Sequence, residues 1–188
     1  SAVALDGNVT VNDYERVSAG NYNGTSLTIV RNGGANASDS FDFDTGGALF
    51  TVSGGNLQSG GNTFATFTNS GGTLTVSFTG TGTAATQALV DNVSQRVRYT
   101  NTSEDPSNSA QLAWSFSDGN AGTQGSGGAL SATGSTTVTL TPVHDLPTLT
   151  NLGGDSINFS IGGSGVARDA SGNATLADVD SANLSGGN

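Results

Sequence analysis

Short runs in which apolar and polar residues alternate one by one, cut apart by paired glycines, recur along almost the whole chain. A period of two puts alternate side chains on one face of a strand, so the pattern calls for β-structure with one covered face. In Ser26–Arg31, Leu27, Ile29 and Arg31 share a face. In Thr73–Phe78, Leu74, Val76 and Phe78 share one, while Thr73, Thr75, Ser77 and the following Thr79 line the other. The same reading predicts strands over residues 9–11, 40–43, 49–52, 63–68, 96–101, 111–117 and 136–141. Gly33-Gly34, Gly46-Gly47, Gly54-Gly55, Gly60-Gly61, Gly71-Gly72 and Gly127-Gly128 stand between them, and glycine reaches the positive φ that tight hairpins need. Residues 84–93 break the pattern, with Ala85, Leu89 and Val93 four apart, and read as a short crossover helix covering one end of the sheets. The expected fold is all-β: an antiparallel β-sandwich with one short helix.

Composition sharpens this reading. Glycine contributes 29 of 188 residues and hydrophobic residues only 34%, so a core forms only where one residue in two points inward, as in thin sandwiches. Gly/Ser-rich disorder is the competing reading, but linkers lack such regular apolar runs. Fifteen acids face five arginines and no lysine, a net charge of -10. Phosphate binding needs clustered Lys and Arg, so neither nucleic acid nor an anionic membrane surface is an expected partner. Cations are the natural counterpart. Cysteine and methionine are absent, which rules out disulfides and thiolate metal sites. No apolar run is long enough to cross a bilayer, and no secretory leader is recognisable, so direct membrane insertion is not expected. Opening at Ser1 without Met, the chain reads as a piece of something longer.

An internal repeat organises the chain. Ser1-Ala2-Val3-Ala4-Leu5-Asp6 resembles Ser164-Gly165-Val166-Ala167-Arg168-Asp169. After a two-residue offset, Gly7-Asn8-Val9-Thr10-Val11-Asn12-Asp13-Tyr14-Glu15 matches Gly172-Asn173-Ala174-Thr175-Leu176-Ala177-Asp178-Val179-Asp180. Val17-Ser18-Ala19-Gly20-Asn21 then matches Leu184-Ser185-Gly186-Gly187-Asn188, which sets a period of 167 residues between Asn21 and Asn188. Pro142 and Pro147 bracket a short extended stretch suited to a stiff joint. The expected organisation is a β-sandwich repeat module over 1–142, an interdomain joint over 143–147, and the opening strands of the next repeat over 148–188.

Tyr99-Thr100-Asn101-Thr102-Ser103-Glu104-Asp105-Pro106, followed by Trp114-Ser115-Phe116-Ser117-Asp118-Gly119-Asn120, resembles the cadherin-like or immunoglobulin-like tandem repeats of giant secreted bacterial surface adhesins. Those repeats end in an Asn-Asp-Ala-Pro-like joint, of which His144-Asp145-Leu146-Pro147 is a variant, and begin with a strand ending in Asp-x-Asp or Asp-x-Glu, as at Asp178-Val179-Asp180 and Asp13-Tyr14-Glu15. Ser26-Leu27-Thr28-Ile29-Val30-Arg31 and Ala35-Asn36-Ala37-Ser38-Asp39-Ser40-Phe41 also fit the type. The departures are His144 at the joint and Glu15 in place of Asp. The resemblance implies a row of β-sandwich modules projecting from a cell, exported by a type I system. In such rows calcium stiffens the joints, and related arrays serve attachment, biofilm formation and cell–cell contact.

The residues offer their own case for Ca2+, which takes six to eight oxygen ligands from carboxylates, amides and carbonyls. Read as a strand, Asp13 and Glu15 point to one side. Glu104 and Asp105 sit in a turn before Pro106, Asp118 and Asn120 flank Gly119, and Asp145 lies in the joint. Asp178 and Asp180 repeat the first pair in the next module. If strand ends converge at one pole, these nine residues form the candidate metal set; singly, each also reads as an ordinary turn residue. Asp39, Asp42 and Asp44 read as a solvated face opposite Phe41 and Phe43.

Catalysis finds no support. The single His144 has Asp145 only as a sequence neighbour, and neighbours on a strand face opposite ways. Trp114 shares a face with Leu112 and Phe116 and reads as core. The chain is therefore expected to be non-enzymatic, extracellular or at the cell surface, with neighbouring repeats of the same protein as partners. The first expected function is a calcium-binding adhesion spacer. The second is a repeat or subunit of a fibre or sheath that self-associates by β-strand complementation, residues 148–188 completing a neighbour. The third is a carbohydrate- or ice-binding β module, which needs a flat, repeated threonine ladder, and only one strand, with Thr73, Thr75 and Thr79, clearly offers it.

Overall fold

The computed structural model describes residues 1–122, 125–154, 156, 158, 160–165, 169 and 172–180. The chain divides into two compact units, Ser1–Thr141 and Pro142–Asn188. The first runs β1 (Val3–Ala4), α1 (Tyr14–Ala19), β2 (Ser26–Arg31), β3 (Asp39–Phe43), β4 (Thr51–Ser53), β5 (Asn56–Ser59), β6 (Asn62–Ser70), β7 (Thr73–Phe78), α2 (Gln87–Gln95), β8 (Val97–Asn101), β9 (Ser109–Ser117) and β10 (Ser131–Thr139). The second carries β11 (Thr148–Thr150) and β12 (Thr175–Ala177). Seven strands form one sheet in the order β10-β9-β2-β7-β6-β5-β4, β1-β8-β3 form a smaller one, and β11 pairs with β12. The ladders are antiparallel.

Alternation decides where the long strands lie. In β2 and β7, Leu27 stands opposite Val76 and Ile29 opposite Leu74, and all four are buried. The β6–β7 hairpin turns on Gly71 and Gly72 at φ 58° and 80°, the mirror-image turn that matches strand twist. At Gly72 a Cβ would also fall 1.9 Å from the Asn36 carbonyl oxygen, so no side chain fits. The two sheets of the first unit meet through aromatic rings: Phe43 of β3 and Phe67 of β6 have centroids 5.1 Å apart at 83°. Leu89, Val90 and Val93 of α2 complete this core.

The other face of the large sheet is lined with hydroxyls. Register places Thr133, Ser115, Thr28, Thr75 and Thr68 in one row across β10, β9, β2, β7 and β6. The row of hydroxyls, four threonines and one serine, therefore crosses five strands rather than the single strand visible in the sequence. Such a face keeps a weakly charged sheet hydrated without Lys or Glu.

Three local expectations change. Residues 9–11 join no ladder; their backbone is held by α2, where Gln87, Asp91 and Gln95 form one polar stripe. Val11 N donates to Asp91 Oδ1 at 2.7 Å, Gln87 Nε2 to the Val11 carbonyl at 3.0 Å, and Gln95 Nε2 to the Val9 carbonyl at 2.8 Å. Helix α2 itself begins at Gln87 because Thr86 caps it. Asp13-Tyr14-Glu15 ends no strand: Asp13 is the N-cap of α1, its Oδ1 accepting from Arg16 N at 2.8 Å, and Gly20 closes the helix at φ 69°. With Asp13 at the cap and Glu15 inside the helix, the two do not share a strand face.

Candidate functional site

The nine candidate ligands fall into three separate places. Asp13, Glu15 and Asp118 line one cleft of the first unit. Glu104 and Asp105 precede β9, whereas Asp118 and Asn120 follow it. Nine extended residues separate the two groups by about 27 Å, so they do not share an ion. Asp145, Asp178 and Asp180 lie in the second unit. Among the described residues no three His, Cys, Asp or Glu side chains form a ready-made metal cage.

At the Asp118 end of β9 the chain supplies its own cation. Arg16 is buried, with 9% of its surface exposed, and donates from Nη1 to the Asn23 carbonyl at 2.6 Å and from Nε to the Asp118 carbonyl at 3.2 Å. Its second terminal nitrogen also donates to the Asp118 carbonyl. Backbone oxygens that a calcium ion would recruit are thus committed to a guanidinium. The Asp118 carboxylate is spent on its loop, accepting from Asn120 N at 3.0 Å and Leu130 N at 2.9 Å. Gly119, φ 62°, brings this loop so close to Gly24 that a Cβ would sit 1.8 Å from the Gly24 carbonyl oxygen. Nothing in the sequence reading singled out Arg16; the one available signal was Asp13 and Gly20 spaced as the two caps of a six-residue helix.

The second unit brings His144 and Asp145 to Asp180. Asp145 N donates to Asp180 Oδ2, and His144 Nδ1 lies 3.2 Å from the same oxygen. Asp180 N donates to Asp178 Oδ1 at 3.0 Å. Asp180 Oδ1 is buried and has no hydrogen-bond partner among the described residues. An orphaned carboxylate oxygen, with the Asp178 carboxylate held on the amide of the same residue, leaves an unsatisfied ligand of the kind a hard cation takes. Ser181 follows Asp180, whereas Arg16 follows Glu15.

The second acidic group divides. Asp42 is exposed and Asp44 half-buried, and they face Arg98 and Arg96. Asp39 is buried, on the same face of β3 as Phe41 and Phe43. Arg31 grips it with a two-pronged pair, Nε to Oδ2 at 2.8 Å and Nη2 to Oδ1 at 2.6 Å. Tyr99 and Asn101 donate to Oδ1 at 2.6 and 2.7 Å. Burial pushes the Asp39 carboxyl up, but these hydrogen bonds and the Arg31 charge outweigh it and hold the group below its ordinary value. Burial, reinforced by the bond to Asp39, raises the Tyr99 hydroxyl.

The cleft that takes in Asp13 measures about 770 Å³. One wall is the segment 9–13, the other is β10 over 131–136, and Leu27, Trp114 and Phe116 form the floor. Trp114 sits in the core face of β9, with 9% exposed, and its indole Nε1 has no hydrogen-bond partner among the described residues. Buried indole N–H groups are normally paired, so this one marks an incomplete wall. Opposite Trp114 and Phe116, β10 presents only Gly134 and Ala132.

No protein-family model, curated protein or solved structure matches this chain.

Proposed function

We propose that the chain is a calcium-binding structural and adhesion repeat of a large extracellular bacterial surface protein, built as a β-sandwich module in a tandem row. The observation that carries this reading is the meeting of His144-Asp145 with Asp178 and Asp180, where Asp180 Oδ1 is left without a partner. Calcium is assigned to this cluster. The Asp13, Glu15 and Asp118 end, where Arg16 takes the carbonyls, receives none. Local geometry supports the repeat: Asp6 accepts from Asn8 N, and its counterpart Asp169 accepts from the amides of Gly172, Asn173 and Ala174. Asp13 and Asp178 likewise each cap the turn that follows them. The matched residues 166–168 and 184–188 lie outside the described residues. The extracellular setting rests on the adhesin resemblance and the acidic, cysteine-free composition. Among the described residues no helix is long and apolar enough to cross a membrane.

Thermal unfolding in chelator, then with millimolar calcium or magnesium, tests the reading. A ligand held only by the folded state raises its melting temperature by mass action. Calcium should raise it well above magnesium, and Asp180→Asn should abolish the difference. Equal melting in chelator and calcium would remove the metal. The second reading, a fibre or sheath unit joined by strand complementation, is favoured by the open cleft beside residues 9–13.

A further inference from the structure

We infer that the cleft beside Trp114 is an acceptor groove for β11 of a second copy of this chain, which pairs antiparallel with residues 10–12. The inference rests on the strand-complementation reading and gives it a site and a register.

Three independent observations meet there. Val9 and Val11 commit backbone groups to Gln87, Asp91 and Gln95 of α2. Backbone groups of alternate residues point to opposite sides of an extended segment, so those of Thr10 and Asn12 turn away from α2. Neither residue has a backbone hydrogen bond among the described residues, and both line the cleft. Second, the repeat aligns Thr10-Val11-Asn12 with Thr175-Leu176-Ala177, which is β12. That copy does have a partner: Thr148, Leu149 and Thr150 of β11 stand opposite Ala177, Leu176 and Thr175. Carried across, the register sets Thr148 opposite Asn12, Leu149 opposite Val11 and Thr150 opposite Thr10. Third, residues opposed across an antiparallel pair share a face. Leu149 would therefore lie beside Val11, which packs on the core, and toward the floor that holds the unpaired Trp114 indole.

Exchange favours the groove over the hairpin. A lone two-stranded sheet is marginal in water. In it Leu149 is 57% and Leu176 53% exposed. Moving β11 into the cleft exchanges Thr175-Leu176-Ala177 for the aligned Thr10-Val11-Asn12 as antiparallel partner and buries Leu149 against Leu27, Trp114 and Phe116, which is the logic of domain swapping. The donor Thr148-Leu149-Thr150-Asn151-Leu152 is uncharged, so it enters between Asp6, Asp13 and Asp118 without repulsion.

Trp114 is the only tryptophan and reports directly. A peptide with the sequence of residues 143–154 is titrated into the full chain carrying Leu149→Asp, which disables its own donor strand while leaving the acceptor intact. Saturable blue-shifting of Trp114 emission is expected, with the Leu149→Asp peptide weaker by about tenfold or more. Sedimentation of the unmutated chain should show concentration-dependent association that Leu149→Asp removes. No emission change with the peptide overturns the groove assignment. If the chain still associates and Leu149→Asp has no effect, strand complementation survives at another edge and this register falls. A chain monomeric at all concentrations, with Trp114 already blue-shifted relative to Leu149→Asp, places β11 in its own groove and overturns donation to a second copy. An equal shift with an arginine-rich peptide assigns recognition to the acids and overturns it too.

Discussion

Asp39 sits in an acidic stretch, yet its parity with Phe41 and Phe43 carries it inside, where Arg31, Tyr99 and Asn101 close on its two oxygens. Once such a pair is buried, removing one partner is costly because the other charge stays behind. Asp39→Asn should therefore lower stability by about 3 kcal/mol, read from urea midpoints. The pH dependence follows from the direction of the shift. The carboxyl is held below its unfolded value of 3.8, so its stabilisation is complete above that value and is lost as pH falls through the lower folded one. The gap between the parent and Asp39→Asn should stay level above about pH 5 and close only in acid. A gap that stayed constant into strong acid would mean the charge of Asp39 contributes nothing. Arg98 with Asp42, a similar two-pronged pair on the surface, should show little of this.

At the level of elements, segment 9–13 is held by α2 and by the Tyr22 hydroxyl, which donates to the Val11 carbonyl at 3.3 Å and accepts from Asp13 N at 3.4 Å. Among the described residues Asp91 alone supplies an acceptor for Val11 N, so Asp91→Ala should speed hydrogen exchange at the Val11 amide while leaving the amides of β2 and β7 protected. Unchanged exchange at Val11 would show that the segment is held by something other than the α2 stripe. Strands β2 and β7 were legible to the residue because their alternation, their buried face and their glycine turns all agree. Helix α1 was not, since six residues carry no apolar period and owe their shape to Asp13, Gly20 and the buried Arg16. Residues 9–11 alternate like a strand, but their partner is a helix about eighty positions away, which no local pattern announces. The candidate ligands were legible as turn carboxylates. Their grouping was not, because the length of β9 keeps Glu104 and Asp105 from Asp118, and Arg16 fills the end where a shared ion was expected.

Taken whole, the molecule spends its few cations locally. Arg31, Arg96 and Arg98 face Asp39, Asp44 and Asp42, and Arg16 faces carbonyls; Arg168 lies outside the described residues. The remaining acids set a net charge of -10, which repels other anions and favours cations at any cluster that lacks an arginine. The stretch 142–147 belongs to no ladder, and Val143 and Leu146 are 72% and 88% exposed. Exposed backbone without strand pairing is where proteases cut first. A broad-specificity protease should therefore cleave between Pro142 and Pro147 before any site in β2, β7 or β9, leaving a persistent fragment that ends near Thr141. Because Asp145 reaches Asp180 in the same cluster assigned to calcium, the ion should slow this first cut by lowering the population of the open joint, and magnesium should not. Cleavage slowed equally by both ions would reduce the effect to screening of a strongly negative chain. A cut slowed by calcium alone, and no longer slowed in Asp180→Asn, would tie the ion to the joint.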